Sequence, residues 1–138
     1  LVTAPAILLL HEGGQIDLEA PLLRYLPDCA GGGKDAITVR QLLTHTSGLL
    51  AGLPASPAWE GREAALLLAS LERVTHVPGS AFRYSDINYI LLGLIIERVA
   101  GMPLDAFAGQ HLFAPLGMQD TGYRPLARGD GRAPPRDL

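Results

Sequence analysis

A chain of 138 residues with net charge −3, 48% hydrophobic and 18% charged, is long enough to bury a core and too apolar to remain disordered. Its charges are scattered, so no basic stripe addresses nucleic acid and no Lys/Arg-rich amphipathic face addresses a membrane surface. The single Cys29 excludes an internal disulfide framework and a cysteine metal cluster, and no apolar run reaches the ~20 residues of a membrane span.

The chain begins without Met, directly in a helix-like apolar run, and lacks the charged start and cleavage pattern of a signal peptide. That is the opening expected of a fragment or a processed chain. Residues 2–12 read as a helix ended by Gly13-Gly14. Ile16 to Leu18 suits a short extended piece, and Pro21 to Tyr25 a helical turn ended by Pro27. Residues 28–36, with Gly31-Gly32-Gly33, read as a loop. Thr38 and Gln41 have capping-box spacing at the head of a second helix, whose apolar face is Val39, Leu42 and Leu43. Thr44 to Gly48 ends it. Residues 49–58 are rich in Gly, Pro, Ala and Ser and read as an irregular, mobile loop. Residues 60–73 form an amphipathic helix with Ala64, Leu67, Leu68 and Leu71 on its apolar side, and Pro78-Gly79 is a turn.

From Phe82 to Gly93 a polar cluster with a phenol runs straight into an almost wholly apolar helix. Ser85 or Asp86 can cap it by accepting from its first free N–H groups. Between Ile87 and Val99 nearly every face is apolar, which predicts a buried helix over residues 86–100. Gly101 stops it and Pro103 prevents continuation. Tyr84 is then held at the N-terminal end, facing a cleft, where the helix dipole acts. Two readings fit: a mounting for a catalytic phenol, or a capped core helix preceded by an ordinary tyrosine. Pro103 to Phe113 forms another helix and residues 115–123 a compact turn. The Arg-, Gly- and Pro-rich stretch 126–138 reads as a loosely ordered tail. With no β-sheet pattern, the chain reads as mainly α, one helical unit over residues 1–125.

Familiar chemistries are mostly absent. His11-Glu12 opens the metalloprotease pattern His-Glu-x-x-His, but Gln15 stands where the second ligand belongs. His45, His76 and His111 have no ligand spacing, so neither metal nor cofactor is expected. A Gly-x-Ser-x-Gly elbow is missing, and Gly31-Gly32-Gly33-Lys34 lacks phosphate-loop spacing. His45 beside Thr46 and Ser47 is better read as a helix-end histidine with hydroxyls bonding the local backbone than as a nucleophile pair.

Four stretches taken in order nevertheless resemble one family: Leu42-Leu43-Thr44-His45-Thr46-Ser47-Gly48-Leu49; Pro78-Gly79 followed by Phe82-Arg83-Tyr84-Ser85-Asp86; Asn88-Tyr89-Ile90-Leu91-Leu92-Gly93; and Pro115-Leu116-Gly117-Met118. Their order and spacing resemble the serine β-lactamase and penicillin-binding-protein superfamily, within it the class C-like branch that includes esterases and D-amino-acid peptidases. Residues 1–27 resemble the helix that follows the nucleophile there, so the resemblance covers about residues 1 to 123.

It implies the helical subdomain of the α+β β-lactamase/transpeptidase-like fold. It also implies a serine hydrolase acting through an acyl-enzyme on small esters, β-lactams or D-amino-acid peptides. In that family the nucleophile lies in Ser-x-x-Lys at a helix start, the second motif is Tyr-x-Asn, and the third is Lys-Thr-Gly or His-x-Gly on a strand. Tyr84 matches the second motif and Asp86 departs from its Asn, so the resemblance assigns catalysis to Tyr84 and Asp86. An ionised Asp86 accepts but does not donate, which leans away from an efficient β-lactamase toward an esterase or peptidase. No serine here has a lysine three residues later, because Lys34 has Gly31 in that place. The resemblance puts Ser-x-x-Lys just before Leu1 and the third motif beyond Leu138. The chain alone is then expected to be inactive, and to self-associate or assemble with the missing flanks. A bacterial setting, exported or cytoplasmic, fits equally. The alternatives are a non-catalytic homologue serving as a structural or binding module and an unrelated helical interaction domain.

Overall fold

The computed structural model describes residues 1–123; the expected tail at 126–138 and the expected domain end at 125 lie outside them. Five α-helices organise the described residues: α1 (Thr3–Glu12), α2 (Val39–Leu43), α3 (Gly61–Leu71), α4 (Asp86–Ala100) and α5 (Leu104–Ala108). Helix α4 is the axis, with the other four packed around it. Its residues Ile87, Leu91, Leu92, Ile95 and Ile96 are wholly buried. Each such aliphatic side chain contributes ~1.5–3 kcal/mol of transfer free energy. Gly101 ends α4 in the left-handed region at φ 67°, its N–H donating to the Glu97 carbonyl at 3.0 Å. The expected buried helix over 86–100 is therefore present, with its expected stop.

The Glu97 side chain joins three helices. Its carboxylate accepts from the Leu104 N–H at 3.0 Å, at the head of α5, and pairs with Arg62 of α3. Helix α1 buries Ala6, Ile7 and Leu10 and leaves Leu8 and Leu9 exposed. His11 follows on the exposed side, where Nδ1 donates to the Ile16 carbonyl at 2.8 Å and serves the turn out of the helix.

Ile16, Leu18 and Ala20 are buried while Asp17 and Glu19 are exposed, but the extended piece expected from Ile16 to Leu18 gives way to a turn, closed by the Ala20 N–H donating to the Asp17 carbonyl at 3.2 Å. This piece pairs with the approach to α2, the Arg40 N–H reaching the Leu18 carbonyl at 2.9 Å and the Val39 N–H the Ala20 carbonyl at 3.2 Å. One isolated antiparallel bridge, Pro21 to Thr38, is the only β pairing among the described residues. Thr38 forms the expected capping box: its hydroxyl accepts from the Gln41 N–H at 3.2 Å and the Gln41 side chain accepts from the Thr38 N–H at 3.0 Å.

Three expectations need correction. Residues 28–36 are not a plain loop: 3₁₀ turns at Pro27–Cys29 and Lys34–Ala36 flank the glycines. Lys34 is buried there, Nζ donating to the Glu72 carbonyl at 2.5 Å, and burial pushes its ammonium below the usual lysine value. On α3, Leu67 and Leu71 do not face the core but are 59% and 66% exposed. Ala69 is the buried residue of the helix instead, with Ala65, Leu66 and Leu68 half-buried. Finally, the helix expected over 103–113 is α-helical only to Ala108 and continues as a π turn over Gly109–Phe113. No helix among the described residues is long and apolar enough to cross a membrane.

Candidate active site

Tyr84 ends an extended approach to α4. The next residue, Ser85, takes the N-cap position at φ −147° and ψ 119°. Its side chain makes no cap hydrogen bond, contrary to expectation. The Ser85 hydroxyl instead donates to the Leu50 carbonyl at 2.5 Å, and the Asp86 N–H donates to the Ala51 carbonyl at 2.7 Å. The head of α4 is thus clamped to the loop that follows α2, and Asp86 lies in its first turn, where the dipole favours a carboxylate.

The Tyr84 phenol is 62% exposed. It stands on open surface, a correction to the expected cleft, because its ring lies over His45 and not in the core. The two ring centroids are 4.6 Å apart and tilted by 34°. Beneath, His45 stacks on Tyr89 at 5.1 Å and 19°, and Phe82 meets its edge at 6.1 Å.

Asp86 reaches back to the phenol. Hydrogen bonding toward its carboxylate, and the negative charge that carboxylate brings, both favour the protonated phenol and raise Tyr84 above the usual tyrosine value. The protonated phenol is therefore favoured through neutral pH and into the alkaline range. We expect Asp86→Asn to move the Tyr84 titration down, toward the ordinary value. Alkaline difference absorbance, with Tyr84→Phe to isolate the signal, measures it, and an unmoved titration would show that Asp86 does not act on the phenol.

Asn88 cannot replace Asp86. Two helical residues on is about 200° around the axis, and Asn88 is wholly buried. Its amide is spent inside: Oδ1 accepts from the Ser47 hydroxyl at 2.6 Å and Nδ2 approaches His45 Nδ1 at 3.3 Å. Ser47, itself buried, also accepts from the Leu49 N–H at 3.2 Å. Thr46 shares a hydrogen bond with Thr44 at 3.0 Å. Neither hydroxyl is presented as a nucleophile. His45, however, is more than a helix-end residue, since it contacts Tyr84 across 39 positions of sequence. No local pattern carries that contact, and its left-handed backbone, φ 56°, has no signal in a Thr-His-Thr context.

A phenol at the head of a buried helix, backed by a Thr-His-Thr-Ser-Gly turn, is accompanied by a match to the Beta-lactamase family model over residues 1–134. The chain belongs to the beta-lactamase family. A relative from Salmonella agona (strain SL483), named "Putative D-alanyl-D-alanine carboxypeptidase", is 33% identical over 138 aligned positions, covering 88% of this chain and 31% of the relative. A D-stereospecific amidohydrolase from Streptomyces superposes with a TM-score of 0.73 at 30% identity, covering 84% of this chain and 39% of that one. An octameric penicillin-binding protein homologue from Pyrococcus abyssi superposes with a TM-score of 0.72 at 27% identity, covering 86% and 30%.

The chain thus spans about a third of the length of the curated relatives it matches. Its architecture is that of the helical subdomain of a beta-lactamase/transpeptidase-like fold, as expected. Within the subdomain, Tyr84 and Asp86 lie together at one end of α4. The 138 residues contain no Ser-x-x-Lys.

Proposed function

We propose that this beta-lactamase-family chain supplies the acid–base phenol of a serine hydrolase that works through an acyl-enzyme. Its substrates are esters, β-lactams or D-amino-acid peptides. The observation that carries the proposal is Tyr84 itself, its ring fixed over His45 at the head of α4, two residues from the Asp86 carboxylate.

Such a phenol works by moving one proton in each half-reaction. As the serine oxygen bonds to the substrate carbonyl carbon, the ionised phenol takes the hydroxyl proton. It then returns that proton to the leaving group as the carbonyl re-forms. A water repeats the sequence on the acyl-enzyme, losing its proton to the phenolate, and the serine oxygen leaves with it. Asp86 opposes ionisation of Tyr84, so a cation must be brought close to reverse the balance. The family's motif lysine is such a cation. The exposed phenol leaves room for it, and an ionised Asp86 can accept from it.

The same exposure supports assembly. Val77, Phe82, Tyr84 and Leu116 are 73%, 71%, 62% and 70% exposed, large side chains open to a covering surface. We read these surfaces as covered by flanking chain or by a second copy.

The test compares the 138-residue chain with the full-length protein on a chromogenic ester, a cephalosporin and a D-alanyl-D-alanine peptide, with mass spectrometry of trapped protein. We expect turnover and a serine acyl adduct from the full-length protein and neither from the 138 residues alone. Absence of both from the full-length protein would favour a non-catalytic module, and inhibitor-sensitive turnover by the short chain would refute the division of labour.

A further inference from the structure

We infer that His45 is a positioning residue for Tyr84: it sets where the phenol stands and acts on catalysis only through that placement. The inference deepens the proposed role of Tyr84 and rests on it.

His45 grips the tyrosine from three sides. Its carbonyl accepts from the N–H of Arg83, the residue before Tyr84, at 2.8 Å. Its Nδ1 accepts from the N–H of Ser85, the residue after, at 3.2 Å. Its ring lies against the phenol ring between them, with centroids 4.6 Å apart. The backbone on either side of Tyr84, through the N–H groups of Arg83 and Ser85, and its side chain are thereby referred to one residue.

The chemistry of the histidine follows from these partners. A backbone N–H can only donate, so Nδ1 must be an acceptor and the proton of the neutral imidazole sits on Nε2. The Asn88 amide, 3.3 Å away, directs its Nδ2 at the same nitrogen, and Ser47 fixes which way that amide points. From below, Tyr89 stacks on the ring and donates to the Leu43 carbonyl at 3.4 Å. The phenol therefore rests on a stack of three rings whose lowest member is tied to α2.

The backbone indicates what this placement costs. His45 is the one non-glycine residue with positive φ among the described residues, at 56°. Left-handed backbone is unfavourable for L side chains by ~1–2 kcal/mol, and such strain persists where surrounding structure over-determines it. A glycine would hold the turn without strain but would provide neither the acceptor nor the ring. The turn therefore retains a side chain where the backbone alone would favour none.

The experiment is a double-mutant cycle in the full-length protein with His45→Gly, His45→Asn and Tyr84→Phe, reading kcat and KM for a chromogenic ester together with the thermal midpoint. A displacement of about 1 Å at a reacting group costs on the order of 10²-fold. We expect His45→Gly to lower kcat by ~10–10²-fold with KM changed less than threefold. His45→Asn should recover part of that loss, since asparagine tolerates the left-handed region and its carbonyl can accept from Ser85. In the Tyr84→Phe background, His45→Gly should change the residual rate less than threefold, because its route to the chemistry is already gone.

An equal loss in both backgrounds would overturn the inference and make His45 a stabilising residue. So would a kcat for folded His45→Gly within about threefold of wild type, because no side chain would then be needed. If Tyr84→Phe alone has no effect, the proposed function fails and this inference with it. If Tyr84→Phe is severe and His45→Gly harmless, only the positioning role fails.

Discussion

Tyr84→Phe in the full-length protein should lower kcat/KM for acyl transfer by ~10²–10⁴-fold while leaving the unfolding midpoint nearly unchanged. The range is what a positioned general acid–base group contributes, equivalent to about 2.7–5.4 kcal/mol of transition-state stabilisation. The small effect on folding follows from where the hydroxyl sits. The residue is 62% exposed, and the neighbouring Asp86 carboxylate is exposed too. Removing the oxygen leaves no buried group unpaired, and the phenylalanine ring can keep its place over His45. A single chromogenic-ester assay with a thermal melt separates the two effects. Hydrolysis within about threefold of wild type would rule out the acid–base role.

The parts of the fold legible in the sequence were those written in local periodicity and punctuation. Helix α4 is apolar on almost every face and ends at a glycine, so its burial and boundary follow from the residues alone. The Thr38–Gln41 box is likewise local. Features that depend on distant partners were not legible. Ser85 carries the right side chain for a cap, but the Leu50 carbonyl claims its hydroxyl. Leu67 and Leu71 have helical spacing, yet the face that packs is the one centred on Ala69. Lys34 follows three glycines, and nothing near it announces that its ammonium will meet the Glu72 carbonyl 38 residues on. At the candidate site the same division holds. Tyr84 and Asp86 could be proposed from a motif, whereas His45 joins them only through long-range contacts.

Gly48→Ala is the largest stability effect we expect, a loss of ~2–5 kcal/mol. Two costs combine at this position. Gly48 has φ 82°, where an L side chain costs ~1–2 kcal/mol. A Cβ there would also overlap the carbonyl of His76, and backbone cannot turn aside as a flexible side chain can, so relief of the clash costs a further ~1–3 kcal/mol. The clash falls on a seam that matters. Residues 45–48 are fastened to residues 75–83 by three backbone hydrogen bonds: the Thr75 N–H to the Gly48 carbonyl at 2.8 Å, the Gly79 N–H to the Thr46 carbonyl at 2.7 Å and the Arg83 N–H to the His45 carbonyl at 2.8 Å. The Thr75 hydroxyl adds a fourth contact to the Gly48 carbonyl at 3.0 Å. Pushing the two segments apart loosens the last of these bonds in space, the one adjoining Tyr84, so activity should fall together with stability. Gly31→Ala is the matched control. Its φ of 87° carries the same strain, but a Cβ there meets nothing within 4 Å, so it should cost only ~1–2 kcal/mol and spare the phenol. Denaturant unfolding of both variants, with ester turnover measured alongside, tests the comparison. Equal destabilisation by the two alanines would mean that the seam yields freely and that the His76 carbonyl is not the obstacle.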